Sequence, residues 1–345
     1  MLLDKNYLKK ITLSLDASIL TAINNLNSSG LKIVLVIDKN EKFIGIVNDG
    51  DIRRAFSGGY KINHPIRKIV NKKTLVIEAI SDLNSFSFKE INLLTHIPII
   101  KNNKIHGLYI NNVNSNIITT KKKEHVVIMA GGYGKRLGVL TKSCPKALLK
   151  FNNKSLLQHI LDYLEKNNFY NIQISVFFLK EMIKNFILKK SNLSLKIKYL
   201  EERQPMGTIG SIGLIKKISN NFIVLNCDVI TDVNLGEMLK FHKKNKSILT
   251  MGVKNFQYKN PYGVIISKKN KFISFKEKPE VDFTINAGIY IFNKKIISLI
   301  NKFNLKNIED LIITLNNKNY KILTYLIFEN WYDLGQDKKR LKKYN

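Results

Sequence analysis

Residues 126–150, VVIMAGGYGKRLGVLTKSCPKALLK, constrain this chain more than any other segment. Val126 to Met129 is a short apolar run of the kind that forms a buried parallel strand. Gly131, Gly132 and Gly134 follow at once and let the backbone turn tightly enough to aim N–H groups at phosphate oxygens. Lys135, Arg136 and Lys146 then supply positive charge. The glycine spacing is neither GxGxxG nor GxxxxGK[ST], which argues against hydride transfer and against P-loop chemistry.

At 345 residues the chain is long for one core, so a large domain with a smaller one is expected. A cleavable leader and an apolar run of about 18 residues are not seen, so secretion and membrane spanning are unsupported and a cytoplasmic location is expected. Cys144 and Cys227 lack metal-type spacing and read as small buried residues. The formal charge of +31 would raise nucleic acid as a partner if it were clustered. The lysines are instead scattered, with one tight run at 121–123 and no interleaved aromatic platform, so nucleic acid is not expected. The positive field would still attract small anions.

After the lysine run the pattern is α/β. Leu156, Leu157, Ile160, Leu161 and Leu164 share one helical face behind the candidate N-cap Ser155, and Ile172, Ile174 and Val176 alternate as in a strand. Further apolar strands at Phe222–Asn226 and Ile248–Val253 predict a mostly parallel, Rossmann-like mixed sheet with helices on both faces. Ligands in such folds sit beyond the carboxyl ends of the strands, where the glycine-rich loop lies.

The first 120 residues repeat weakly at a period near 60. LKIVLVIDKNEKFIGIVNDGDIRRAF gives a strand, a turn, a strand and an acidic helix start; HIPIIKNNKIHGLYINNV repeats strand, turn and strand but ends in Asn111 and Asn112. This resembles a pair of cystathionine-β-synthase (CBS) domains, a smaller α/β module over residues 1–120. Such modules often bind an adenine nucleotide through Ser/Thr-x-x-Asp. Here Asp51 holds the carboxylate position and Asn48 replaces the hydroxyl, leaving two readings: a ribose contact, or a packing module with Asp51 as a helix cap.

GGYGKRL followed by LT and PKALL resembles the signature of the sugar-1-phosphate nucleotidyltransferases, and further segments in that family's order extend the likeness over 125–345, behind a linker at 121–124. The resemblance implies a Mg²⁺-dependent enzyme that joins a sugar 1-phosphate to a nucleoside triphosphate and releases pyrophosphate. It implies that Arg136 and Lys146 meet the triphosphate in the cradle of Gly131, Gly132 and Gly134, and that Asp228 and Asp333 hold the metal. EERQPMGTIGSI resembles the base-recognition loop, which assigns Gln204, Gly207 and Thr208 to the nucleotide, and MGTIG is close to the LGTxG of guanylyltransferases. NPYGVI, FKEKP and TINAGIYIF assign Gly263, Glu277, Lys278, Asn286 and Gly288 to the sugar phosphate.

GTP and glucosamine 1-phosphate are thus the favoured substrates, the CBS fusion resembling enzymes that serve surface-glycan or nonulosonic acid biosynthesis, and a homo-oligomer is expected. A uridylyl- or thymidylyltransferase and a nucleotide sensor with an inactive transferase domain are the alternatives. Val139 in place of proline and Gln336 in place of threonine depart from the family pattern without removing a charge. His125, His159 and His242 lack motif partners and read as structural or surface residues.

Overall fold

A computed structural model describes residues 5–86, 96–110, 122–190, 194–335 and 341. The chain divides into two compact units, 1–120 and 121–345. Asn111, Asn112, Lys121 and Gln336 lie outside the described residues.

In the first unit β1 (Thr12–Ser14) pairs parallel with β2 (Ile33–Ile37), which pairs antiparallel with β3 (Phe43–Asn48). A second hairpin joins β4 (His96–Lys101) to β5 (Lys104–Ile110), so both halves of the repeat give strand, turn and strand. The helix Asp49–Ser57 begins with a reciprocal cap: Asn48 Oδ1 accepts from Asp51 N, and Asp51 Oδ2 accepts from Asn48 N, each at 3.0 Å.

The second unit is built on β6 (Lys122–Met129), β7 (Lys150–Phe151), β8 (Lys154–Ser155), β9 (Phe169–Val176), β10 (Lys196–Glu201), β11 (Asn221–Asn226), β12 (Val229–Thr231), β13 (Leu249–Lys259), β14 (Val264–Lys268), β15 (Lys271–Lys276), β16 (Glu280–Asn293), β17 (Ile322–Leu326) and β18 (Trp331–Asp333). Seven of these form one mixed sheet in the order β10-β9-β6-β11-β16-β13-β17. The first four strands are mutually parallel, β16 is antiparallel to both neighbours, and β17 is parallel to β13.

Both faces of the central strands are apolar because both are covered. Val126 and Ile128 of β6, with Ile223 and Leu225 of β11, face one core. Val127, Phe222 and Val224 face the other. Helix Leu156–Lys166 packs on the first face through the five predicted residues, and Ser155 Oγ accepts from Gln158 N at 3.1 Å as its N-cap. Helices Lys295–Phe303 and Ile308–Asn317 cover the second.

Candidate active site

Sheet register brings the site together. Met129 of β6 pairs with Ser175 of β9 and with Asn226 of β11, so three parallel strands end side by side. The ladder runs one residue further on each: Ala130 N donates to Ser175 O (3.1 Å), Cys227 N to Met129 O (3.3 Å), and Glu202 N to Val176 O (3.0 Å). The glycine-rich loop, Asp228 and Glu202 therefore leave one sheet edge together, as expected of a ligand site in an open α/β sheet.

They surround a cavity of about 460 Å³ whose lining includes Gly131, Gly132, Gly134, Lys135, Arg136, Lys146, Gly207, Thr208, Asp228 and Gly335. That size suits a nucleotide-scale ligand. Gly134 has φ +65°, and a Cβ there would come within 2.7 Å of Thr141 Cγ2. Thr141 Oγ1 in turn donates to Gly134 O at 3.0 Å, which fixes the loop. Lys146 sits between Pro145 and the buried Ala147, Leu148 and Leu149, so its backbone is anchored while its ammonium reaches the cavity.

Asp228 and Asp333 meet through the pairing of β12 with β18: Val229 lies opposite Asp333, and Leu334 N donates to Asp228 O at 3.0 Å. The lone tryptophan, Trp331, anchors β18 by donating from Nε1 to Ala287 O at 2.8 Å. Lys146 Nζ forms an ion pair with Asp228 Oδ2. Burial works to lower the Lys146 pKa, but Cys227, Asp228 and Asp333 outweigh it and the ammonium is held above its ordinary value. Burial first, and the Asp228 charge second, raise the Asp333 pKa. Two acids sharing one partly buried end is an arrangement that a divalent cation relieves. No side chain stands at Gly335, where a methyl would overlap Asp228 Oδ2 and lie 2.8 Å from Lys146 Nζ and 3.0 Å from Asp333 Oδ1. Among the described residues no three His, Cys, Asp or Glu side chains gather, so the acid pair suits a mostly hydrated hard ion such as Mg²⁺ and not a protein-caged metal.

The other expected residues divide. Gln204 is exposed and does not line the cavity; Glu202 does. Glu202 is buried, accepts from Ser175 Oγ (2.5 Å) and from Met206 N (3.0 Å), and lies so close to Gly131 that a Cβ there would overlap its Oε1. Lys135 is exposed and also lines the cavity, with Nζ 5.8 Å from the Tyr133 ring. Gly263, Glu277 and Lys278 sit on the exposed β14/β15 hairpin and its flanks, outside the cavity lining. Asn286 Oδ1 accepts from Gly288 N at 3.1 Å, and Gly288, with φ +68°, packs so closely on the cavity residue Asn226 that a Cβ would come within 2.8 Å of Asn226 Nδ2.

Cys144 and Cys227 are both buried, and burial pushes the Cys227 thiol up to about 12. In the first unit Asp51 is held by its cap and by an ion pair with Arg54, and burial raises its pKa. It does not line that unit's own cavity of about 510 Å³, which is bordered by Glu78, Asp82, Phe86 and Asn102.

Residues 6–58 match the CBS domain model. Mannose-1-phosphate guanyltransferase beta-B of Xenopus laevis is 32% identical over 221 residues, and mannose-1-phosphate guanyltransferase of Yarrowia lipolytica is 33% identical over 222. Each alignment covers 61% of this chain and 61% of the relative, so the chain spans less than two thirds of the relatives it matches. The crystal structure of HddC from Yersinia pseudotuberculosis superposes with a TM-score of 0.49 at 24% identity, covering 61% of this chain and 94% of that one. Residues 125–342 match the model described as nucleotidyl transferase, and the chain belongs to that family.

Proposed function

We propose that this chain transfers a nucleoside monophosphate from a nucleoside triphosphate to a sugar 1-phosphate and releases pyrophosphate. The observation that carries this reading is the convergence of the glycine loop, Arg136, Lys146 and Asp228 on one cavity, with Asp333 brought beside Asp228 by the pairing of β12 with β18. A phosphate oxygen of the sugar attacks the α-phosphorus; the bond from that phosphorus to the bridging oxygen breaks, and pyrophosphate leaves with the electron pair. Both partners are anions, so the protein's work is alignment and charge neutralisation, and no protein nucleophile is needed.

Lys146 neutralises charge at the α-phosphate once a substrate phosphate competes with Asp228 for its ammonium. Arg136 forks onto the outer phosphates, and the N–H groups of Gly131 to Gly134 cradle them. Asp228 and Asp333 would hold Mg²⁺, which when bound supplies further neutralisation of the phosphate oxygens.

GTP is the proposed donor. The mannose-1-phosphate guanylyltransferase relatives and the MGTIG turn favour it, and so does Glu202: a carboxylate retains acceptor sites beyond its two present bonds, and guanine offers N–H groups at N1 and N2. The proposed acceptor is glucosamine 1-phosphate, on the resemblance of the CBS fusion, and the product is a GDP-sugar for surface-glycan or nonulosonic acid synthesis.

The test is pyrophosphate release with Mg²⁺, crossing GTP, UTP, dTTP, CTP and ATP against glucosamine, N-acetylglucosamine, mannose and glucose 1-phosphates. Turnover highest with GTP and glucosamine 1-phosphate is expected. Faster turnover of another hexose phosphate overturns the acceptor, and preference for UTP or dTTP overturns the donor.

A further inference from the structure

Arg203, Gln204 and Pro205 run through solvent, and Gly207 and Thr208 follow them onto the wall of the nucleotide cavity. Two sets of contacts hold this segment there. On one side Met206 N donates to Glu202 Oε2 at 3.0 Å. On the other stands the turn between helices Lys295–Phe303 and Ile308–Asn317, where Ile209 N donates to Lys306 O at 2.9 Å and Ile308 N donates to Thr208 Oγ1 at 2.9 Å. Gly207, at φ +73°, lies so near this turn that a Cβ would come within 2.5 Å of Lys306 O and 2.7 Å of Asn307 Oδ1.

The N–H groups of a helix's first turn have no partner within their own helix, and the side chain at the N-cap usually supplies one. Asn307 holds that position in helix Ile308–Asn317 and is a residue type suited to the task. Among the described residues its side chain makes no cap bond, and its Nδ2 donates instead to Asp310 Oδ2 at 3.3 Å. Thr208 takes over the task from 100 residues away by accepting from Ile308 N. The helix it caps is well anchored, because Ile308, Leu311 and Leu315 are all buried in the second core.

Lys306, Asn307 and Ile308 stand outside the cavity lining, whereas Gly207 and Thr208 belong to it. The bond from Ile308 N to Thr208 Oγ1 therefore ties a fixed element outside the cavity to a segment of its wall. A hydroxyl oxygen that accepts from a backbone N–H is oriented by that N–H, so the helix start sets how Thr208 sits. We infer that Thr208 is a positioning residue: its hydroxyl caps helix Ile308–Asn317 and thereby holds Gly207 in place for the nucleotide, acting on affinity through the helix and not by reading the base. The inference rests on the reading of this cavity as a nucleoside triphosphate site.

Calorimetric titration of the full chain with GTP and Mg²⁺ tests it through a double-mutant cycle. Thr208→Val removes the acceptor and keeps the shape of the side chain. Ile308→Pro removes the donor at a first helical position that suits proline, behind an Asn307 whose extended φ −114° and ψ 152° are what proline asks of its predecessor. Each substitution is expected to weaken GTP binding about tenfold, the scale of one hydrogen bond. The two together should also cost about tenfold, since both delete the same bond. Thr208→Ser keeps the acceptor and should bind GTP as the wild type does. If Ile308→Pro fails to fold, hydrogen exchange on the free protein decides: the Ile308 amide should exchange faster in Thr208→Val and at the wild-type rate in Thr208→Ser. Wild-type affinity in a folded Ile308→Pro, losses that multiply to about 100-fold in the double variant, or unchanged Ile308 exchange in Thr208→Val would each overturn the inference. A wild type that binds no triphosphate of the panel would instead sink the reading of the cavity on which the inference rests.

Discussion

Gly335→Ala adds one methyl where the acid pair, Lys146 and β18 meet. Its Cβ would overlap Asp228 Oδ2 and sit 2.8 Å from Lys146 Nζ. The carboxylate must retreat by about 1 Å to restore ordinary contact, and a misplacement of that size in a catalytic constellation costs about 100-fold in rate. That corresponds to about 2.7 kcal/mol of transition-state stabilisation. Gly335 has no left-handed backbone requirement, so the strain is steric and local. Crowding a packed position costs roughly 1–3 kcal/mol of stability, a fall in Tm of about 2–4 °C per kcal/mol in a unit of this size. Pyrophosphate release should therefore show kcat/KM reduced about 100-fold in a protein that remains folded at assay temperature. Wild-type kcat/KM in Gly335→Ala would refute the reasoning that Asp228, Lys146 and Asp333 act as one packed group.

Glu202→Gln keeps the size of the side chain but removes its charge and one acceptor; KM for GTP should rise about tenfold, for a lost hydrogen bond of roughly 1.4 kcal/mol, with discrimination against UTP falling, and unchanged discrimination would count against base reading by Glu202. His242 is buried in a network with Thr250, Ser247 and Asn221, and burial lowers its pKa from 6.5 to about 4. The unfolded chain thus binds more protons than the folded one between those values, so stability is full above pH 6.5 and falls as pH drops towards 4, by about 2 kcal/mol at pH 5. Denaturation followed through Trp331, the only tryptophan, should show this loss, and His242→Gln should show a smaller one. Asn48→Ala removes the side-chain cap of helix Asp49–Ser57 and should cost the first unit about 1 kcal/mol; unaltered thermal unfolding of that unit would show the cap contributes nothing.

Much of the site was legible because local sequence carries it. A glycine run after a four-residue apolar strand, and a lysine locked between proline and three apolar residues, signal their geometry without tertiary help. Asp228 and Asp333 were legible through family motifs, but their meeting depends on the pairing of β12 with β18. Glu202 was not legible: Glu-Glu-Arg reads as a solvated turn, and only the placement of β10 beside β9 buries that carboxylate against Ser175. Gln204, the expected base contact, follows the same turn into solvent. The projection of residues 254–259 and 280–285 beyond the sheet follows from where β17 ends.

The most direct test follows the α-phosphate itself. GTP labelled at that position is incubated with Mg²⁺ and sugar 1-phosphate, using wild type and Lys146→Met. The account predicts label in a GDP-sugar only when sugar 1-phosphate is present, with the rate in Lys146→Met lower by about 10²- to 10³-fold, the scale for loss of one preorganised charge. Nucleotide that binds but is never transferred would contradict it and favour a sensor. So would label released as GMP at a rate indifferent to the sugar phosphate, which would make the site a hydrolase.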